Sequence, residues 1–488
     1  MTTATTSSDI ATRLSALRTA MNRHGLDAWI QTSTDPHQSE YVADYWAART
    51  WLTGFTGSAG VAIVTADHAG LWTDSRYFIQ AEQELGDGPF ELHKQGIPHA
   101  PEHRVWLRNQ LPKGARVGID GKLVTIAGLA ALEGIFAEKG ITLVTEHDII
   151  AEAWTDRPPM PEAPVVPHPT ELAGMIRMEK LTRVRAAMKE AGVDHHLVST
   201  LDDVAWLMNL RGDDVNYNPV FYGYVLISNS KSTLFVAPGK VSETLELALE
   251  EAGTVIAPYA DLAAHLGALE GKLLVDTGKT SVAVRNALGD AATIVNGKTP
   301  STAMKAVKNA TEIAHFRRVM VRDAVALLRL YRWIDAEIDG GELTEVAVAE
   351  KLAALRGENP EYRGESFGAI AGYAGNGAIV HYRPAPESCA TLKREGIFLL
   401  DSGGQYVDGT TDITRTTCLG TPTPDQIRNY TLVLKGHIGI ATAKFPAGTK
   451  GYHLDSFARM PLWQHGLNYG HGTGHGIGFH LCVHEGPQ

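Results

Sequence analysis

The stretch LSALRTAMNRHGLDAWIQTS, which begins at Leu14, and the stretch LTRVRAAMKEAGVDHHLVST, which begins at Leu181, align without a gap. Leu14 matches Leu181, Arg18 matches Arg185, Met21 matches Met188, Gly25 matches Gly192 and Asp27 matches Asp194. Each reads as an amphipathic helix closed by a glycine and followed by a strand. Further strand-like runs come after each copy: VAIVTADHAGLWTD in the first, YGYVLISNSKSTLFVA in the second. Two related α/β domains in tandem are the simplest account.

The segment Asp156 to Leu172 contains six prolines and cannot be a regular element, so it separates the copies. A second boundary falls near Asn296 to Thr302. These limits predict domains over residues 1–155, 172–298 and 303–488. A 488-residue chain with 44% hydrophobic and 20% charged residues has the composition of a globular protein with sizeable cores. With a net charge of -11, nothing suggests nucleic acid, whose phosphates want a basic patch. No apolar run approaches the ~18 residues of a membrane span. The opening MTTATTSSDIATRL lacks the apolar centre of a signal peptide. It reads as a short tail leading into a helix capped at Ser8 or Asp9. Cys389, Cys418 and Cys482 are odd in number and far apart, which argues against a disulfide framework and for a reducing compartment. The expected location is the cytoplasm.

Beyond the second boundary a long helix is predicted from about Thr311 to Ile338, with Ile313, Phe316, Met320, Val325 and Leu328 as its apolar stripe. Another helix follows Leu343. Strands are expected in SFGAIAGYA, GAIVHY, GIFLLDSGGQYV and TDITRTTCL, then two helices. This third part is α+β, whereas the two before it are α/β.

Asp401 ends an apolar run, and Asp412 follows the turn signal Asp408-Gly409. Antiparallel strands joined there would bring the two carboxylates together. Like charges that close are costly unless a cation lies between them or one is protonated. Spacing alone also fits a hairpin with two solvated aspartates. The stretch HGTGHGIGFHLCVHEGPQ adds four histidines, His471, His475, His480 and His484, among glycines that exclude a stable helix. In an extended chain His471 and His475 share one face, and His480 and His484 share the other. Both pairs can reach one site only if the strand bends, which glycine permits. Competing motifs fail on single residues. His484-Glu485 needs histidine at 488, where Gln488 stands. Gly472, Gly474 and Gly476 need a further glycine at Ile477 or Phe479. The run Gly57-Ser58-Ala59-Gly60 needs glycine at Thr56.

With these residues in place, the chain resembles the three-domain Xaa-Pro aminopeptidases (aminopeptidase P) of the pita-bread metallopeptidase family. The likeness is carried by GAIVHY around His381, LLDSGGQYVDGTTDITRT, HGTGHGIG and VHEGP. Upstream, WLTGFTGSAGVAIVT, LWTDSRYF, LDDVAWLMNLRGDDVNYNPVF and SFARMPLW share in it. It implies two creatinase-like N-terminal α/β domains followed by an incomplete pita-bread catalytic domain. It implies removal of the first residue from peptides with proline in second position. Asp401, Asp412 and His475 would hold two divalent ions, most naturally Mn, with Co or Zn as alternatives. His381 and His484 would act on the substrate, His471 would contact it or stand behind those that do, and His480 has no implied role beyond structure. The partners implied are a peptide substrate and, at full length, a second copy of the chain, with no nucleic acid and no membrane.

The family pattern has two further glutamate ligands beyond VHEGP, which this chain does not contain. That departure leads to the expectation of a truncated sequence whose chain, taken alone, is inactive. The competing readings are a peptide- or protein-binding module on the same fold, and a prolidase or creatinase relative. Retention of Asp401, Asp412, His475, His381 and His484 argues against the first. The presence of two N-terminal α/β domains argues against the second.

Overall fold

In the computed structural model, which describes residues 6–96 and 102–487, the chain divides into two compact units, Met1–Val307 and Lys308–Gln488. The part of the expected N-terminal tail from Met1 to Thr5 lies outside the described residues. The first helix, Ser7–Arg23, is capped by Thr6 rather than by Ser8 or Asp9. Asp9 occupies the third helical position and returns the bond to the Thr6 backbone, so the predicted cap residue is the other half of a capping box.

The first unit holds two six-stranded sheets. Ala28–Thr32, Val61–Thr65, Ala69–Thr73, Glu91–Lys94, Arg116–Gly118 and Thr142–Val144 form β1 to β6, in the spatial order β4-β3-β2-β1-β5-β6. His195–Val198, Gly223–Ser228, Ser232–Val236, Thr254–Pro258, Gly271–Val275 and Ala292–Asn296 form β7 to β12, in the order β10-β9-β8-β7-β11-β12. Raising each label of the first sheet by six gives the second, so the repeat read from sequence is a repeat of topology.

The aligned residues do the same work in both copies. Gly25 and Gly192 close their helices at φ 61° and 65°, the left-handed region where a side chain is strained. The Arg18 guanidinium donates to the Thr65 carbonyl and that of Arg185 to the Ser228 carbonyl, both at 3.0 Å. Asp27 accepts from the Arg116 amide and Asp194 from the Lys272 amide, which fixes the parallel neighbour of each leading strand.

In the second unit the helix Ala310–Glu337 lies beside the helix Glu345–Gly357. Tyr362–Glu365 and Ile370–Tyr373 form β13 and β14. Ile397–Ser402, Gly404–Tyr406, Gly409–Thr410 and Ile413–Cys418 form β15 to β18. They make two small antiparallel sheets, β13-β16-β17 and β14-β15-β18. Along β15, Phe398 and Leu400 turn into the core formed by Leu327, Leu330, Ile334, Leu352 and Leu355 of the two helices. Two expectations fail here. The buried stripe of the long helix runs through Val319, Asp323, Ala326, Leu330 and Ile334, whereas Ile313, Met320, Val325 and Leu328 are exposed. That helix is apolar on two sides, so periodicity alone does not choose the face. The segment GAIVHY is not a strand: residues Ala374–Ala378 form a 3-10 turn. The buried Glu345 carboxylate gathers the Tyr373 and Ala390 amides, the Asn376 amide group and the Tyr382 hydroxyl, and so wraps the chain into a loop.

Asp323 lies in the apolar stripe because Arg356 meets it with two hydrogen bonds at 2.7 and 3.0 Å. Both side chains are almost fully buried. The same guanidinium reaches the Gly403 carbonyl and the Ser402 hydroxyl, and Tyr406 donates to Asp323. Arg356→Ala therefore strands a buried carboxylate and should lower unfolding free energy by about 3–5 kcal/mol. Arg329→Ala, which breaks the exposed and solvent-screened Arg329–Glu358 pair, should leave the unfolding midpoint nearly unchanged. Urea denaturation of the two variants checks this, and equal losses would contradict it.

Candidate active site

Burial alternates along β15, so Asp401 faces away from the helices that Phe398 and Leu400 pack against. Its cross-strand partner is Thr414 on β18, and Asp412 lies immediately before that strand. The hairpin predicted between the two aspartates is real, but it is nested. Between β15 and β18 the chain makes the short β16-β17 excursion into the other sheet. Gly403 permits the turn out of β15: a Cβ there would stand 2.0 Å from the Thr411 carbonyl and 2.1 Å from the Ser366 hydroxyl.

The histidine-rich stretch reverses direction. Gly476 and Glu485 pair as an antiparallel bridge, and Gly478 donates to the Cys482 carbonyl. His480 lies inside the reversal, buried, at φ 47°. Phe479, Leu481 and Val483 are buried, and Phe479 meets Phe316 edge-on at 5.3 Å. Gln405, at the start of the β16-β17 hairpin, donates to the Leu481 carbonyl at 2.8 Å. The reversal is thus fastened to the excursion that separates Asp401 from Asp412. Two glycines are required by close approach. A Cβ on Gly476 would lie 2.7 Å from the Gly486 carbonyl, and one on Gly478 would lie 2.5 Å from that of Cys482.

As a result Asp401, Asp412, His475 and His484 converge. His475 Nε2 stands 3.2 Å from Asp412 Oδ2, and the His475 and His484 rings lie 4.4 Å apart, nearly perpendicular. His475 Nδ1 donates to the Gly476 carbonyl at 2.8 Å, which turns Nε2 toward the Asp412 carboxylate. Asp401 Oδ1 is buried without a hydrogen-bond partner. Burial, and next the nearby Asp412 charge, raise the Asp401 carboxyl to about 6, against the opposing pull of Thr414, His475 and His484. Two carboxylates brought close, an orphaned carboxylate oxygen and a mixed oxygen and nitrogen donor set are what a divalent cation satisfies. The donor set fits such an ion.

The remaining expected residues lie on other segments. His381 is half-buried on the loop gathered by Glu345, beside Tyr382. His471 is exposed: its Nδ1 donates to the Gly472 carbonyl, its ring lies 4.7 Å from Tyr469, and its carbonyl accepts from Arg459. Sequence reading missed Thr414, Glu345, Arg356 and Asp323. A carboxylate at the centre of a helix's core stripe was a legible sign for Asp323, because an unpaired buried charge is untenable. No local pattern marks Glu345, whose bonding partners are spread from Tyr373 to Ala390. All three cysteines are free. Among the described residues no helix is long and apolar enough to cross a membrane.

The chain is similar to known proteins along nearly its whole length. Residues 13–153 and residues 156–312 each match the Creatinase/Prolidase N-terminal domain, and residues 314–488 match Metallopeptidase family M24. A probable Xaa-Pro aminopeptidase P from Laccaria bicolor is 41% identical over 487 residues, covering 98% of this chain and 75% of that protein. Aminopeptidase P1 from Arabidopsis thaliana is 37% identical over 527 residues, covering 97% and 81%. The crystal structure of an X-prolyl aminopeptidase from Caenorhabditis elegans, described as a cytosolic enzyme with a di-nuclear active site, superposes with a TM-score of 0.92 at 33% identity. That likeness covers 98% of this chain and 81% of that one. The expectation of an inactive chain is not borne out by these likenesses.

The Asp401 carboxyl carries a pH signature. Below its ordinary value of 3.8 it is protonated in both the folded and unfolded states and contributes nothing. Between 3.8 and about 6 the unfolded chain ionises first, so stability falls as pH rises. Above that window the full penalty, roughly 3 kcal/mol at ~1.4 kcal/mol per pH unit, is in force. In EDTA, Asp401→Asn should therefore be more stable than the parent at pH 7 and show no such advantage at pH 3.5. Thermal unfolding at both pH values reads the difference, and an advantage of equal size at both would refute the assignment.

Proposed function

The chain belongs to metallopeptidase family M24, among the Xaa-Pro aminopeptidases P, and from that premise we propose that it is a metal-dependent aminopeptidase releasing the first residue of peptides with proline second. The convergence of Asp401, Asp412, His475 and His484 carries the reading. Asp401, Asp412 and His475 would hold two divalent ions, and we assign manganese, with cobalt or zinc as substitutes. Bound there, the ions supply Lewis acidity and lower the pKa of a water molecule.

The chain's own residues orient and stabilise. The Nδ1 bond to Gly476 keeps the His475 ring in one tautomer with Nε2 directed into the site. His484, held against His475 by the Gly476–Glu485 bridge, is placed to donate to the oxyanion that develops on the scissile carbonyl. His381 would add a second donor from the Glu345-gathered loop, and His471 would contact the peptide at the exposed rim. A bond preceding proline is a tertiary amide without an N–H, so the pocket beyond it selects by shape rather than by hydrogen bonding. Following the Caenorhabditis elegans enzyme, we also place the protein in the cytosol, and we keep the expectation of a homodimer, which light scattering tests.

With manganese supplied, the protein should cleave Arg-Pro-Pro peptides far faster than an Arg-Ala-Pro analogue. His484→Ala should lose about 10²–10³ in kcat with its metal content intact. Asp412→Asn should lose metal as well, by elemental analysis. Metal uptake with no cleavage of either peptide would favour a binding module instead, and equal cleavage of both would remove the proline requirement.

A further inference from the structure

A cluster outside the active site remains unexplained. His68 sits in the β2-β3 turn, and Glu91 and His93 share one face of β4, the edge strand of the first sheet. The two Nε2 atoms are 3.3 Å apart. Glu91 places one oxygen 3.8 Å from His68 Nδ1 and the other 3.9 Å from His93 Nε2. One donor atom from each residue lies within 4.8 Å of the others. Ligands ~2.0–2.2 Å from a tetrahedral ion are about 3.3–3.6 Å from each other, so side-chain rotation that brings one nitrogen of each ring and one Glu91 oxygen together closes the set.

The floor of the cluster is cut to fit. Gly70 pairs with Glu91, and a Cβ on it would stand 2.7 Å from His68 Nε2, 2.9 Å from the His93 ring and 2.6 Å from Trp72. Trp72 stacks on His93 at 3.9 Å, and Trp106 packs 4.6 Å from His68, so both rings are backed by indoles. The turn itself is fixed, because the Thr65 hydroxyl accepts from the His68 amide and donates to Asp67.

The second copy of the domain is an internal control. The Thr65 amide donates to the His68 carbonyl as the Ser228 amide donates to that of Lys231, so Lys231 stands where His68 does. Thr233 pairs with Val255 and Phe235 with Ala257, in the places of Gly70 with Glu91 and Trp72 with His93. The fold is retained there with no ligand at any of the three positions. The fold therefore does not call for this cluster.

We propose that His68, Glu91 and His93 bind a single divalent ion of the zinc type, clipping the edge strand β4 to the β2-β3 turn. Two imidazoles and one carboxylate suit Zn2+, Ni2+ or Cu2+ better than the harder Mn2+. With three protein ligands the fourth position is left to water.

The test is calorimetric titration of tag-free protein with Zn2+, with bound zinc counted after dialysis. The expected result is one zinc equivalent that Asp412→Asn retains and His93→Gln loses. Glu91→Gln, on an exposed side chain that folding does not need, should bind that zinc at least about tenfold more weakly, since even outer partners of metal ligands are worth 10–100-fold. Zinc should also raise the melting temperature of Asp412→Asn but not of the Asp412→Asn/His93→Gln double variant, in which both sites are disabled. Unchanged zinc stoichiometry and affinity in both His93→Gln and Glu91→Gln would overturn the proposal and leave the two rings sharing an N–H···N hydrogen bond. Peptidase activity of these variants is read separately, so failure here leaves the catalytic reading untouched.

Discussion

The Arg356–Asp323 pair is the constraint on which the second unit depends. It joins the helix Ala310–Glu337 to the helix Glu345–Gly357, and through the Ser402 hydroxyl and Gly403 carbonyl it reaches the chain directly after Asp401. A buried ion pair is not a cheap fastening, since desolvating both groups can outweigh their attraction. Its value is geometric. A guanidinium with donors in fixed directions can serve a carboxylate, a carbonyl and a hydroxyl at once. Each of these accepts only from its own direction, so the end of β15 has one register against the helices. An apolar pair of the same volume would bury as well but would not define where Asp401 points.

The active site is built from the opposite condition. Asp401 and Asp412 repel, and Asp401 Oδ1 has no donor. The frame supplied by Arg356, Gln405 and the buried Phe479, Leu481 and Val483 holds these groups in place despite the conflict. Without a cation, burial and next the Asp412 charge favour a proton on Asp401, whose carboxyl is pushed up to about 6. Proton and metal then compete for one place, and stiffness elsewhere preserves the site for the metal.

What could be read from sequence divides by range. The repeat, the long helices, the Asp401–Asp412 hairpin and the need for a bend between His475 and His484 are local patterns, and the structure has all of them. The stripe assigned to Ile313, Met320, Val325 and Leu328 was misread because helical periodicity identifies an apolar face without saying what covers it. GAIVHY has strand propensity, yet Glu345 holds Tyr382 within it and Tyr373, Asn376 and Ala390 on either side, which outweighs it. Glu345 stands far along the chain from every group it binds, so no window of sequence shows the network. His480, which has no implied role beyond structure, lies buried inside the reversal, where alternation of faces no longer applies.

The duplicated domain separates scaffold from function without an alignment of other proteins. Arg18 and Arg185, Asp27 and Asp194, Gly25 and Gly192 make the same bonds or turns in both copies. Polar groups repeated in this way are what the fold itself requires. Those present in one copy alone need another reason. His68, Glu91 and His93 are of the second kind, and so is Gly70, which as a glycine inside a strand weakens the sheet it belongs to. The second copy fills that place with Thr233, a residue suited to strands. A sheet that gives up a better strand former to open space beneath two imidazoles is arranged around what occupies that space, and a shared divalent ion is the occupant whose chemistry agrees with the donors gathered there.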